Sequence, residues 1–155
     1  MNELVYRNLS EDAKRQICAW KYGGEYDLYN LPAYEEMQVR QIGFMNPKSE
    51  KNYYGFWDES ILVGFVNILE EKEEVFIGIG VNPDLCNKHY GQRMLLITYE
   101  ISKKLYPNKP LYLEVRTWNI RAVKCYQKAG FRIDGQAYEL TTGIGIGTFY
   151  RMIRE

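Results

Sequence analysis

The chain has 155 residues, the length of one domain, and 46% of them are hydrophobic, enough to fill a core. Because 20 Lys and Arg balance 20 Asp and Glu, a formal net charge of zero gives no general attraction to nucleic acid or to an anionic membrane. Three widely spaced cysteines and one histidine match no zinc-ligand pattern, and neither a signal peptide nor an apolar run of about 20 residues is visible. We therefore expect one soluble cytoplasmic domain over residues 1–155, without a metal ion, a nucleic-acid partner or a membrane partner.

The first 50 residues predict one strand and two helices. Leu4–Leu9 is typical of a short strand, and Ser10 is the expected N-cap of the helix that follows. Lys21–Asn30 is rich in Gly and Tyr and predicts a loop. Pro32 is expected to start a second helix that runs to about Met45, since proline is favoured in the first turn.

Three strands are predicted in the middle of the chain. Tyr53–Trp57 and Ile61–Leu69 flank a three-residue turn, which is the signature of a β-hairpin. After the charged turn Glu70–Glu74, the mostly apolar run Val75–Val81 predicts a central strand that is buried on both faces. Asn82–Tyr90 is expected to be a loop that leads into a helix.

The second half alternates helices and strands. The helix after Gly91 is expected to end before Pro107, and Leu111–Val115 predicts a strand. The buried face of the helix after Gly91 is expected to consist of Met94, Ile97, Ile101 and Leu105. Asn119 is expected to cap a last helix, and Gly130 stands where a left-handed C-terminal cap belongs. Phe131–Leu140 and Thr148–Ile153 predict two closing strands around the glycine-rich turn at residues 143–147.

The predicted order is β-α-α-β-β-β-α-β-α-β-β. An antiparallel meander followed by a β-α-β-α-β crossover predicts the α/β class, with a mixed sheet and helices on both faces.

Two segments of the second half resemble the GNAT N-acetyltransferases. Val81–Leu85 (VNPDL) with Gly91 and the helix from Gln92 is similar to motif A of that family. Asn119–Phe131 is similar to motif B, whose usual form is N-x-x-A-x-x-x-Y-x-K-x-G-F, and every fixed position is present. The expected strand order also matches the family fold over nearly the whole chain. The resemblance implies a single GNAT domain that transfers an acetyl group from acetyl-CoA to a primary amine in a ternary complex, as a monomer or a homodimer. The implied acceptor is a small-molecule amine or a peptide N-terminus.

The resemblance also implies a coenzyme A site. A strand, a tight loop and a helix start collect backbone N–H groups and the positive end of a helix dipole, an arrangement that binds phosphate. In the family this loop has the form Q/R-x-x-G-x-G/A; here Cys86 stands at its first position and His89 at its first glycine, whereas Gly91 is retained. A side chain at position 89 obstructs the phosphates or adds a contact to them, and both alternatives stay open. The implied cofactor-binding residues are Ile79, Gly80, Val81, Asn87, Lys88, His89, Tyr90, Gly91, Gln92, Asn119 and Tyr126.

By the same resemblance, Tyr126 is the general acid that protonates the departing coenzyme A sulfur. A phenol suits this role because its reference pKa of about 10 is close to that of an alkyl thiol. The alternative is a core tyrosine on the inner face of the helix. Glu73 and Glu74 are the positional candidates for the general base, although a run of acids is usually a solvated turn.

The first helices and their loop form the wall of the acceptor cleft in this family. Four aromatic residues are therefore candidates for substrate binding: Trp20, Tyr22, Tyr26 and Tyr29. The alternative is that they only pack over the sheet. Because the loop Cys86–Gly91 departs from the family pattern, a second hypothesis is a non-catalytic GNAT-like module that binds coenzyme A or regulates a partner.

Overall fold

The computed structural model describes residues 3–155, which form a mixed α/β fold of eight strands and four α-helices. The α/β class predicted from the sequence is confirmed. In chain order the elements are β1 Val5–Asn8, α1 Glu11–Ala19, α2 Tyr34–Arg40, β2 Tyr53–Asp58, β3 Ile61–Glu70, β4 Val75–Val81, α3 Tyr90–Leu105, β5 Leu111–Arg116, α4 Ile120–Lys128, β6 Arg132–Ile133, β7 Tyr138–Thr142 and β8 Gly145–Arg154.

The chain divides into two compact units. The first unit holds the chain up to Asn67 together with Ile79–Tyr90, and the second holds Ile68–Gly78 and Gly91–Glu155. Strands β3 and β4 contribute residues to both units.

The first unit is an antiparallel sheet with two helices. Strand β1 pairs with β2 from Val5 opposite Trp57, and β2 pairs with β3. Ser10 caps α1 as expected, since its side chain accepts a hydrogen bond from the backbone N–H of Ala13 at 3.1 Å. The core of this unit consists of Leu9, Ala13, Ile17, Cys18, Met37, Phe44, Met45, Trp57 and Leu62.

One predicted boundary in the first unit was wrong. The second helix ends at Arg40 rather than near Met45, because Gln41 takes a left-handed conformation with φ 51° and ends the helical hydrogen bonding. A 3₁₀ helix, Gly43–Met45, follows it. The expected loop 21–30 contains a further 3₁₀ helix, Gly24–Tyr29. The predicted hairpin between β2 and β3 is present, and Glu59 turns it with φ 55°.

The second unit contains both parallel and antiparallel pairs. Strand β4 pairs in parallel with β5 at its first two residues, Val75 opposite Leu111 and Phe76 opposite Tyr112. Strand β5 pairs antiparallel with β8 over its whole length, and β8 also pairs with β6 and β7.

Helix α3 buries a different stripe from the predicted one. Its buried residues are Met94, Leu95, Thr98, Ile101 and Ser102. Leu105 is 51% exposed because it is the last residue of the helix, so the prediction of a buried Leu105 was wrong. The spacing by three and four predicted the helical period correctly. The buried face of the helix, however, is centred closer to Leu95 and Thr98 than the predicted face was.

The predicted strand Phe131–Leu140 was wrong as a single element. Phe131–Leu140 divides into β6 and β7, because Gly135 takes a φ of 77° and interrupts the extended chain. Strand β8 begins at Gly145, three residues before the predicted start at Thr148. The glycine-rich segment is therefore mostly strand, and the turn is confined to Gly143 and Ile144.

Candidate active site

The carboxyl end of β4 lies in the first unit and carries the predicted residues Ile79, Gly80 and Val81. The hydroxyl of Tyr22 donates a hydrogen bond to the carbonyl oxygen of Val81 at 2.6 Å. A Cβ atom at Gly80 would overlap the ring of Phe65. Glycine is therefore required at this position by internal packing, whatever approaches the strand from outside.

Asn82 fixes the start of the loop after β4, a role that the sequence analysis did not assign. Its backbone N–H donates to the carbonyl of Val63 at 2.8 Å, and its side-chain amide donates to the carbonyl of Leu62 at 3.1 Å. Its side-chain oxygen accepts from the N–H of Asp84 at 3.0 Å. An Asn before Pro is a typical turn initiator, and this was the available signal.

The loop reaches α3 through two left-handed residues. Asn87 has φ 65° and His89 has φ 66°, and the side chains of Asn87, Lys88 and His89 are exposed. His89 therefore takes at the first glycine position of the motif a backbone conformation that glycine adopts readily. Helix α3 then begins at Tyr90, which places Gly91 and Gln92 in its first turn.

Tyr90 ties the start of α3 to the hairpin between β2 and β3. Its hydroxyl donates to the Oδ2 atom of Asp58 at 2.6 Å. A hydrogen bond to a carboxylate is of the stronger, charge-assisted kind. The loop is consequently held at Asn82 on one side and at Tyr90 on the other.

The four predicted acceptor residues are all half-buried in the first unit. The ring of Tyr22 meets that of Tyr29 edge-on with centroids 6.5 Å apart, and Trp20 lies 6.3 Å from Phe65. The backbone N–H of Tyr22 donates to the side chain of Asn30 at 2.6 Å. These contacts build an ordered aromatic wall next to the end of β4.

Helix α4 belongs to the second unit and is fixed at both ends. Asn119 is buried, and its side-chain oxygen accepts from the N–H of Ala122 at 3.2 Å, as predicted for an N-cap. At the other end Gly130 has φ 97°, and the N–H of Phe131 donates to the carbonyl of Tyr126 at 3.0 Å. These bonds, with that from Gly130 to Gln127 at 3.0 Å, make a Schellman cap.

Tyr126 stands one turn before this cap and is half-buried. The core positions of α4 and its cap are instead Val123 and Ala129, at 7% and 1% exposure. Tyr126 is thus less buried than these two positions.

The two carboxylates predicted as general bases have different surroundings. Glu73 is exposed. Glu74 is half-buried, and Arg151 contacts both of its oxygens, at 2.7 and 3.1 Å. This ion pair raises the pKa of Arg151. Glu74 is therefore engaged by the guanidinium of Arg151 on both of its oxygens.

A third carboxylate, Glu114, was missed by the sequence analysis. It lies on β5, is half-buried, and accepts a hydrogen bond from the hydroxyl of Tyr138 at 2.6 Å. Burial, together with this bond, raises the pKa of Tyr138 well above its usual value. The alternation of Leu111, Leu113 and Val115 with polar residues was the signal that places Glu114 on the less buried face of its strand.

Two kinds of feature are absent from residues 3–155. They contain no group of three or more His, Cys, Asp or Glu side chains that could hold a metal ion. Within the same range, no helix is long and apolar enough to cross a bilayer.

The fold, the loop before α3 and the capped helix α4 define the class of acetyltransferases. Residues 10–131 match the model of the acetyltransferase (GNAT) family, and the chain belongs to this family. The resemblance inferred from the sequence is therefore confirmed. GNAT enzymes use acetyl-CoA as the acyl donor.

Solved structures of this fold cover almost the whole chain. A spermidine N-acetyltransferase SpeG chimera from Vibrio cholerae and hSSAT is 18% identical with a TM-score of 0.78, and the match covers 99% of this chain and 95% of that one. A GNAT-family acetyltransferase from Bacillus anthracis is 18% identical with a TM-score of 0.79, covering 98% and 94%. AAC(6')-Ib in complex with parmomycin and acetyl-CoA is 16% identical with a TM-score of 0.73, covering 99% and 93%. At these identities the likeness is one of fold. No curated protein matches the chain.

Proposed function

We propose that the chain is a single-domain enzyme that transfers the acetyl group of acetyl-CoA to a primary amine, on a small molecule or a peptide N-terminus. The observation that carries the proposal is Tyr126, a half-buried phenol on a short helix that is capped at both ends. Two similar structures are a spermidine N-acetyltransferase and an enzyme complex with parmomycin and acetyl-CoA, which favours small-molecule amines as acceptors.

The donor site in this proposal is built from β4 and the loop that follows it. The backbone of Ile79–Val81 pairs with the pantetheine arm as an added strand would, with Asn119 as a further partner. The N–H groups at the start of α3, with Lys88 and His89 beside them, bind the pyrophosphate. The left-handed φ of His89 supports this assignment because the backbone keeps a shape that glycine would adopt there.

The acceptor site in this proposal is the aromatic wall of Trp20, Tyr22, Tyr26 and Tyr29. Glu25 and Asp27 are exposed on the same segment and attract a cationic amine. The bond from Tyr22 to Val81 supports this assignment, since it joins the wall to the strand that receives the acyl donor.

The chemistry in this proposal is direct transfer without an acyl-enzyme. The amine nitrogen attacks the thioester carbonyl carbon, whose oxygen is polarised by the N–H near Val81. The C–N bond forms, the C–S bond breaks, and Tyr126 gives its proton to the departing sulfur. The proton that the nitrogen loses on becoming an amide restores the phenol by way of solvent.

Two measurements test the proposal. Acetyl-CoA at millimolar concentration should raise the melting temperature of the protein in a concentration-dependent way, in one cooperative transition if the chain is a single domain. Release of free thiol should then depend on an added amine, with spermidine, parmomycin and a peptide with a free N-terminus as the panel. Binding without amine-dependent thiol release would instead favour the non-catalytic module, and no binding at all would overturn both hypotheses.

A further inference from the structure

We propose that Glu114, held by Tyr138, is the carboxylate that takes the proton from the acceptor amine. This inference rests on the proposed function and supplies the base for it. It concerns a pair of residues on β5 and β7 of the second unit, two strands that both pair with β8, 24 positions apart in the chain.

The position of Glu114 is the first argument. The parallel pairing of β4 with β5 covers Phe76 opposite Tyr112, and Glu114 is two residues further along β5 on the same face. If this register is continued, the position on β4 opposite Glu114 is Gly78, which has no side chain. On the other edge of β5 the pairing with β8 continues to Arg116. Glu114 therefore lies two residues beyond the last paired position of the two parallel strands.

The bonding of Glu114 is the second argument. Tyr138 donates to its Oε2 atom at 2.6 Å, and within residues 3–155 no side chain donates to its Oε1 atom. Arg151 is its direct neighbour across the strand pair, but that guanidinium is bound by Glu74, and Asp134 contacts its Nε atom at 3.3 Å. Glu114 thus keeps one oxygen available for an ammonium group or for a water that relays the proton.

The surrounding charges favour a cation at this carboxylate. The titratable and charged groups that face it from β5, β7, β8 and the segments before β4 and after β6 are Tyr112, Arg116, Tyr138, Arg151, Glu71, Glu74 and Asp134. Arg151 is neutralised by its two carboxylates, and Glu71 is hydrogen-bonded by Tyr112 at 2.8 Å. Because burial raises the pKa of Tyr138, the phenol stays a donor across the physiological range, and Glu114 is the acceptor of the pair.

The proton balance is simple. The ionised Glu114 accepts one proton from the ammonium form of the acceptor, and the neutral amine attacks the thioester carbonyl. As the C–S bond breaks, the thiolate takes the proton of Tyr126, and the second amine proton returns to Tyr126 by way of solvent. The products are an amide and free coenzyme A, and Glu114 releases its proton to water before the next turnover.

The central test is Glu114→Gln. Gln keeps an acceptor for the Tyr138 hydroxyl but cannot take a proton, so kcat/KM for spermidine at pH 7 should fall about 100-fold or more. The acid limb of the kcat/KM profile should move up to the pKa of the amine itself, so activity should recover toward pH 10, where more of the amine is already neutral. The matched control is Glu139→Gln, the same charge change at an exposed neighbour of Tyr138, which should leave kcat/KM within twofold.

Tyr138→Phe tests the positioning role. Removal of the phenol releases the Oε2 atom of Glu114 from its hydrogen bond, so kcat for spermidine should fall about tenfold while KM stays within about twofold. A Glu114→Gln protein whose acid limb stays where it is in the wild type, or that loses activity equally at every pH, would overturn the inference and leave the proposed function standing. A wild-type protein that binds acetyl-CoA but acetylates no amine would overturn the proposed function, and the inference with it.

Discussion

The loop before α3 and the segment after α4 use the same backbone device with different residues. After α4 the left-handed residue is Gly130, with φ 97°, whereas before α3 it is His89, with φ 66°. Residues with a side chain are tolerated in a narrow left-handed region, with φ of about 50–70°, and His and Asn are among those found there. The difference in φ explains why one position holds glycine and the other does not.

The space around the two residues differs in the same way as their backbone conformations. A Cβ atom at Gly130 would lie 2.8 Å from the Nε atom of Arg154, a side chain that also donates to the carbonyl of Ala129 at 3.0 Å. The side chain of His89 is exposed and meets no such obstacle. A departure from the family's glycine pattern at position 89 is therefore compatible with an unchanged backbone, and it is not by itself a sign that the site is lost.

The largest expected effect belongs to α4 itself, which the Gly130 cap ends. Tyr126→Phe should lower kcat about 100-fold because the departing thiolate loses its proton donor, while the affinity for acetyl-CoA should stay within about twofold. Steady-state kinetics with spermidine and a thermal shift with acetyl-CoA measure the two quantities. Asn119→Ala is a useful contrast, since loss of the cap should cost stability of about 1 kcal/mol as well. An unchanged kcat in Tyr126→Phe would remove the phenol from the mechanism.

Gly130→Ala should give the next largest effect, on stability. The left-handed φ and the contact with Arg154 together should lower the free energy of unfolding by about 1–2 kcal/mol, measured by urea denaturation. Gly143→Ala is the matched control, because nothing lies within 4 Å of its Cβ position, and it should change stability by less than about 0.5 kcal/mol. Equal effects in the two variants would show that the cap of α4 does not need glycine.

Local sequence signals predicted much of the fold. The bounds Val75–Val81 of β4 and the N-caps Ser10 and Asn119 follow from apolar runs and capping residues, which act over a few positions. The errors occurred where a left-handed residue stops an element, as at Gln41 and Gly135, since the neighbouring sequence still favours its continuation.

The candidate site was predictable as segments and not as contacts. Motif similarity indicated the loop before α3 and the helix of Tyr126, but the bond from Tyr90 to Asp58 joins residues 32 positions apart, and that from Tyr22 to Val81 spans 59. Glu114 was missed for the same reason. Its partner Tyr138 is brought to it by the pairing of β5 and β7 with β8, which no local pattern specifies.

The smallest expected effect is at His89. It tests whether a residue with a Cβ atom at this left-handed position lowers the stability of the protein. Ala and Gly both remove the imidazole, but only Gly adopts a φ of 66° without steric cost, so His89→Gly should be more stable to urea than His89→Ala by about 1 kcal/mol. Because the backbone is already in this conformation, both variants should keep acetyl-CoA affinity within a few-fold of the wild type. If His89→Ala were the more stable of the two, the left-handed conformation would be wrong, and the comparison with Gly130 would fail at its first step.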